Sequence, residues 1–172
     1  MATLTIMTAE QFKMLESLER QASRRAARET AVIQQILRLF VDRGGPIPVD
    51  DLHGVGGSHG AAFRDALTAL DDDDVIRVRA GHVDIAYPFS ASPTPFVVRL
   101  EGGRERYACC ATDALGIAPM VGRRIELRSR CHHCGTPLEF SVTPEGPEPD
   151  AAGVMLWVGK RPADGCKAAD SL

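Results

Sequence analysis

Aromatic residues are scarce in this chain, 5% of 172 positions, with one tryptophan and two tyrosines. No apolar stretch approaches the ~20 residues that a membrane-spanning helix needs. The start has no apolar core of the kind that marks a signal peptide, so a cytoplasmic address is expected. A net charge of −3 offers no bulk attraction to nucleic acid or to a membrane. Cysteine is missing before position 109, and all five cysteines fall between Cys109 and Cys166. In a cytosolic protein, such clustering and an odd count favour metal binding or reactive thiols over disulfides. What remains is ample for folding, because a hydrophobic content of 44% suits a packed core.

The first half of the chain reads as helical. Thr8 and Gln11 have the spacing of a capping box, and Phe12, Leu15 and Leu18 form an apolar stripe behind them. An Arg- and Ala-rich stretch containing Arg20, Arg24, Arg25 and Arg28 follows. Val32, Ile33, Ile36, Leu37 and Phe40 then recur at helical spacing, and Gly44-Gly45-Pro46 ends that helix. Asp50 or Asp51 can cap a short helix through Leu52. Ser58 can cap another, with Phe63, Ala66, Leu67 and Leu70 on its buried face. Val75–Arg79 and Val83–Ala86 read as two strands around Ala80-Gly81-His82.

Helix, helix, helix and hairpin is a winged-helix order, which raises DNA binding as a role. A recognition helix should present base-reading side chains on its exposed face. This one offers His59, Arg64, Asp65 and Thr68, followed by an acidic run, Asp71 to Asp74, that repels phosphate. The residues favour a scaffold over a DNA reader.

Ser90-Ala91-Ser92-Pro93-Thr94-Pro95 is a stiff connection. With it the chain divides into residues 1–88, a helical winged-helix-like module, and residues 89–172, a mixed-sheet domain. In the second part Phe96–Leu100 and Arg106–Cys109 read as strands around a Gly102-Gly103 turn. A short helix over Thr112–Ile117 stops near Pro119. Ile125–Arg128, Leu138–Val142 and Val154–Val158 supply further strands, and Pro144–Pro149 is a loop. The fold class expected is α+β.

The chemistry concentrates in Tyr107-Ala108-Cys109-Cys110-Ala111-Thr112-Asp113-Ala114-Leu115. A soft thiol lies three residues from a carboxylate, at a strand-to-helix turn. Thiolate sulfur selects soft metals, and a neighbouring carboxyl group can hold or deliver a proton. Adjacent side chains on a strand point to opposite faces, so Cys109 and Cys110 are not expected to chelate one ion together. The second cluster, Cys131-His132-His133-Cys134-Gly135, has the Cys-x-x-Cys-Gly spacing of a zinc half-site. Its alternatives are another thiophilic ion or unliganded thiols. His132, His133 or Cys109 are the candidates to complete it.

The Tyr-Ala-x-Cys-Ala-x-Asp-x-Leu pattern resembles the organomercurial (alkylmercury) lyases. The likeness runs from Gly45-Pro46-Ile47-Pro48-Val49 through Tyr87-Pro88-Phe89-Ser90 and Thr94-Pro95-Phe96-Val97-Val98. It continues in Pro119-Met120-Val121-Gly122-Arg123, Ser129-Arg130-Cys131, Gly135-Thr136-Pro137-Leu138 and Ser141-Val142-Thr143-Pro144. The resemblance implies a mixed-sheet domain of the alkylmercury lyase type and cleavage of a carbon–mercury bond by protonolysis, giving a hydrocarbon and Hg²⁺. It assigns Cys110 as nucleophilic thiolate and mercury ligand, and Asp113 as the group that handles the proton.

A second thiol is also implied. By ungapped counting it falls at or just beyond Leu172, and Cys166, displaced by several residues, is the cysteine nearest that place. The closing segment of the family is missing from this sequence, a shortened C-terminus by comparison. No organic cofactor is implied, Hg²⁺ is product and ligand, and Zn²⁺ at Cys131 and Cys134 remains open. The implied partners are the organomercurial or another thiophilic metal ion, external low-molecular-weight thiols and a mercuric reductase. The competing expectation is a non-enzymatic metal-binding or metal-sensing protein on the same fold, with DNA as a partner. Under either, a helix N-terminus should stabilise the Cys110 thiolate and make it the most reactive of the thiols.

Overall fold

The computed structural model describes residues 8, 10–11, 22–23, 26–27, 30–57, 60–157 and 167–171. The Phe12, Leu15 and Leu18 stripe, the four arginines that follow it, Ser58, His59, Val158 and Cys166 lie outside the described residues. At the start, the Thr8 N–H donates to Gln11 Oε1 (2.9 Å) and the Gln11 N–H donates to Thr8 Oγ1 (3.2 Å), a reciprocal capping box.

Helix α1 (Ala31–Arg43) begins where the Thr30 hydroxyl accepts the Ile33 N–H at 3.5 Å. Val32, Ile33, Ile36 and Phe40 form its buried stripe. Its end is fixed by Gly44, whose N–H reaches Phe40 O in a backbone conformation with φ 81. Gly45 is required for a different reason. A Cβ there would stand 2.4 Å from the Phe40 ring, so no larger residue fits without moving that side chain.

Strand β1 (Ile47–Pro48) leads into a single 3₁₀ turn over Val49–Leu52, then helix α2 (Gly60–Asp72) buries Phe63, Leu67 and Leu70. Strands β2 (Ile76–Arg79) and β3 (His82–Ala86) form a hairpin. Ala80 and Gly81 both have positive φ (49 and 75), the requirement of the tight turn that matches strand twist. His82 therefore opens β3 instead of lying in the turn.

The sheet continues through β4 (Phe89–Ser90), β5 (Val97–Arg99), β6 (Glu105–Ala108), β7 (Ile125–Arg130), β8 (Pro137–Thr143) and β9 (Gly146–Pro147). Its order is β1-β3-β4-β6-β5-β7-β8-β9, with β2 on the other edge of β3. Every ladder among the described residues is antiparallel, which corrects the mixed sheet expected from sequence. Short connections join the β2–β3, β3–β4, β5–β6, β7–β8 and β8–β9 pairs, whereas β1 and β3, β4 and β6, and β5 and β7 pair across intervening elements. The ladder crosses positions 88 and 89 without interruption, because β4 pairs with β3 on one side and β6 on the other. Arg106 adds a second tie, donating to the carbonyls of Phe40 (2.6 Å) and Val41 (2.8 Å) at the end of α1.

Three local expectations change. Helix α3 (Ala111–Val121) runs past Pro119, and it is Gly122, left-handed with its N–H on Ala118 O, that closes it. The proline ring is solvent-exposed in the last turn, where one lost N–H is tolerated. Val154–Trp157 is not a strand: it is irregular, and Met155 and Trp157 are 68% and 71% exposed. The loop expected at Pro144–Pro149 instead contains β9, which returns onto Val142 and Thr143. No helix among the described residues is long and apolar enough to cross a membrane.

Candidate active site

The strand-to-helix turn after β6 is pinned from several directions. Ala108 N–H donates to Phe96 O (2.9 Å), Ala108 O accepts the Thr94 hydroxyl (2.7 Å), and Cys109 N–H donates to Pro88 O (3.0 Å). The chain is thereby held in an extended conformation up to Cys110, which has φ −151 and ψ 178 and is the N-cap of α3. Strand alternation then separates the two cysteines. Cys109 turns inward, 3% exposed, and packs with Ile85, Tyr87 and Ala169. Burial drives its thiol far above the ordinary range, so it is a packing residue.

Cys110 turns the other way, half-buried, toward the first turn of α3. Its thiol donates to Asp113 Oδ2 at 2.9 Å, and its sulfur accepts the Asp113 N–H at 3.4 Å. The i, i+3 spacing of an N-cap and the third helical residue makes both contacts local. The thiol is pushed up to about 11, first by burial and then by the Asp113 charge and hydrogen bond. Backbone hydrogen bonds from Asp113 and Thr112 pull the other way and lose. The expectation of a thiolate stabilised by the helix dipole is corrected: at neutral pH Cys110 rests as a thiol donating to a carboxylate.

Cys166 falls outside the described residues, but the chain just after it is anchored. Lys167 Nζ donates to Asp71 Oδ2 (2.9 Å) and Asp71 O (2.8 Å). The N–H groups of Ala168 and Ala169 donate to Asp74 Oδ2 (3.0 Å) and Oδ1 (3.4 Å). Arg77 grips Asp84 with two bonds of 2.9 Å and also donates to the Ala169 carbonyl. Ala169 itself is fully buried beside Cys109. The acidic run at Asp71 and Asp74 thus holds residues 167–169 against the sheet, a role that sequence reading missed. No signal in the sequence joins groups more than ninety positions apart.

Cys131 and Cys134 occupy the turn between β7 and β8. The Gly135 N–H donates to Cys131 O and the Cys131 N–H to Thr136 O, both at 2.8 Å. The Cys134 thiol contacts Thr136 Oγ1 at 3.1 Å, and hydrogen bonding to Thr136 is the main cause that lowers its pKa, with the Cys131 side chain adding to it. A structural zinc site takes four ligands. Among the described residues no group of three His, Cys, Asp or Glu is placed to hold an ion, so His132 and His133 do not complete the set. The donor set seen here does not fit tetrahedral zinc.

Comparison with known proteins follows the same residues. The family model for alkylmercury lyase matches residues 89–172, the segment that carries β4 to β9, Cys110 and Asp113. Residues 89–172 are thus similar in sequence to the alkylmercury lyases. The alkylmercury lyase of Staphylococcus epidermidis is 27% identical over 128 residues, 73% of this chain and 57% of the relative. That of Streptomyces lividans is 28% identical over 134 residues, 74% and 59% of the two chains. The Bacillus cereus alkylmercury lyase is 34% identical over a shorter stretch of 67 residues, 37% of this chain and 30% of its own. The chain therefore spans less than two thirds of the length of these relatives. The fold is similar to that of the mercury-bound form of MerB2, with a TM-score of 0.62 at 20% identity, covering 77% of this chain and 66% of that one. Cys110 and Asp113 lie within the matched segment, and the fold around them is like that of the MerB2 structure.

Proposed function

We propose that this protein cleaves carbon–mercury bonds by protonolysis, and the observation that carries the reading is the 2.9 Å thiol-to-carboxylate contact between Cys110 and Asp113. A substrate R–Hg–X presents a soft, two-coordinate metal that sulfur seeks. As the Cys110 sulfur bonds to mercury, its proton passes along the existing hydrogen bond to Asp113. A second thiol joins the metal, its own proton leaving with X⁻. Two sulfur donors raise the electron density on the carbon, and Asp113 returns its proton there. The carbon–mercury electron pair becomes the new C–H bond, R–H departs, and Hg²⁺ stays on two sulfurs.

Resting protonation suits this sequence of events. A free thiolate would bind mercury but bring no proton, whereas the Cys110–Asp113 pair carries the one that carbon needs. Cys166 is our candidate for the second thiol. The anchoring of Lys167 on Asp71, and of Ala169 beside Cys109, supports it by keeping the residues just after Cys166 near the strand-to-helix turn, although Cys109 and Cys110 face opposite ways there. External low-molecular-weight thiols then extract Hg²⁺, and a mercuric reductase is the class of enzyme that consumes it.

We read the helices before β2, with the β2–β3 hairpin, as a winged-helix-like scaffold. Arg64, Asp65 and Thr68 are exposed on α2, but Asp71 and Asp74 at its end are committed to holding residues 167–169. The reading is tested by incubating the full chain with a simple organomercurial and excess thiol. Release of the hydrocarbon is expected. Stoichiometric mercury retention without release would replace the lyase by a binder.

A further inference from the structure

We propose that Cys131 and Cys134 form a second, two-thiolate site for a soft metal ion of low coordination number, separate from Cys110. The turn supplies a preformed chelate. The turn that joins them is closed by the bonds from Gly135 N–H to Cys131 O and from Cys131 N–H to Thr136 O, both 2.8 Å, which bring the two cysteines into one tight loop. Gly135 takes φ 72, a conformation that lets the chain fold back directly after Cys134. Cys134 is exposed and Cys131 half-buried, so an ion can reach them without rearrangement of the core.

The coordination number follows from what surrounds the pair. With no third ligand among the described residues, an ion that needs four donors is held poorly. An ion content with two sulfurs, as Hg²⁺ is, finds its full complement. Placement matches the same ligand. Val97 pairs with Tyr107 on β6 and with Arg128 on β7, so the Ala108 and Ser129 ends of those strands lie at the same end of the sheet. Cys110 follows the first and Cys131 the second, with one intervening strand and thus about 10 Å between the two strand axes. A soft ion at that end of the molecule meets both.

The probe is mercuric chloride with the Cys110→Ser chain, freshly reduced, in the presence of excess glutathione. One equivalent of Hg²⁺ should be retained through buffer exchange, with a near-ultraviolet thiolate–mercury absorption, and should block alkylation of Cys131 and Cys134 in peptide maps. Adding Cys131→Ser and Cys134→Ser should weaken retention by about tenfold or more, because a monothiol then competes without a chelate opposing it. Undiminished retention by that triple variant, or protection of other cysteines in place of these two, overturns the site. A tetrahedral Co²⁺ spectrum at one equivalent that depends on both residues overturns the low coordination number. No carbon–mercury bond is involved, so the site can fail while the lyase reading stands, and the reverse.

Discussion

The Cys110 thiol donates to Asp113 Oδ2 across 2.9 Å while its sulfur accepts the N–H of the same residue. The helix cap and the thiol–carboxylate contact are therefore one structure. The cap fixes the sulfur, and the carboxylate fixes where its proton goes.

Cys110→Ser should abolish hydrocarbon release, because the hydroxyl keeps the cap but offers no soft ligand to mercury. Asp113→Asn should keep mercury binding and lose about 10²- to 10⁴-fold in turnover, the usual worth of a positioned acid–base group. Gas chromatography of the headspace measures the first effect, and mercury retention separates the second from failure to bind. Wild-type turnover in the Asp113→Asn chain would remove the carboxylate from the mechanism.

Thiol reactivity should follow environment rather than helix position. Cys134, exposed and with a lowered pKa, should be alkylated first at neutral pH. Cys110 labelling should climb steeply with pH toward about 11, where its thiol ionises. Burial is the main cause of that raised pKa, and Asp113 acts in the same direction because its negative charge disfavours a second one on sulfur, so Asp113→Asn should speed Cys110 labelling at neutral pH. Peptide mapping after limited alkylation reads all three, and labelling of Cys110 ahead of Cys134 in the wild type would contradict the order.

What sequence reading captured is local. Val32, Ile33, Ile36 and Phe40 share one face because helical spacing puts them there, and Cys110 meets Asp113 because a cap reaches three residues ahead. What it missed depends on distant partners. Burial of Cys110 and its opposition to a full carboxylate charge outweigh the dipole that was expected to lower its pKa. Val154–Trp157 has an apolar character but no strand beside it to pair with, while two residues at Gly146–Pro147 find one in β8. The aspartates at the end of α2 read from sequence only as an acidic run that repels phosphate, because their partners at residues 167–169 lie more than ninety positions away.

That return should be measurable as stability. Asp74 is 3% exposed and accepts the N–H groups of Ala168 and Ala169. Asp74→Ala should cost about 2–3 kcal/mol, since both donors lose a charged acceptor in a buried place. Asp74→Asn should cost less, because asparagine tolerates the positive φ of 56 and keeps one accepting oxygen. Urea unfolding followed by far-ultraviolet circular dichroism gives the comparison. Equal stability of Asp74→Ala and wild type would mean that residues 167–169 are held by something else.

DNA binding should be weak and unselective. The exposed face of α2 presents Arg64 beside Asp65, and its end carries acidic side chains. Mobility shifts with DNA should therefore vanish at physiological salt, and Arg64→Ala should leave hydrocarbon release within about twofold of wild type. A saturable, sequence-selective shift with a steep salt dependence would assign the helices a second role.

Cys166→Ser tests the two-thiol step. One sulfur on mercury leaves the carbon less basic and lets the product ion escape, so this variant should bind organomercurial through Cys110 yet release hydrocarbon at least about a hundredfold more slowly. Asp71→Asn makes the complementary test, because it weakens the grip on Lys167 without touching a thiol. Its turnover should fall by less than that of Cys166→Ser, and the loss should be largest at low external thiol, where no other sulfur can stand in. Supplying excess thiol should restore part of the rate in both variants, since a free thiol can take the second position on mercury. A Cys166→Ser chain that turns over at the wild-type rate with little external thiol would show that Cys166 is not the second ligand. In that case Asp71→Asn should have no effect on turnover either, and the search for the second sulfur would move to another thiol.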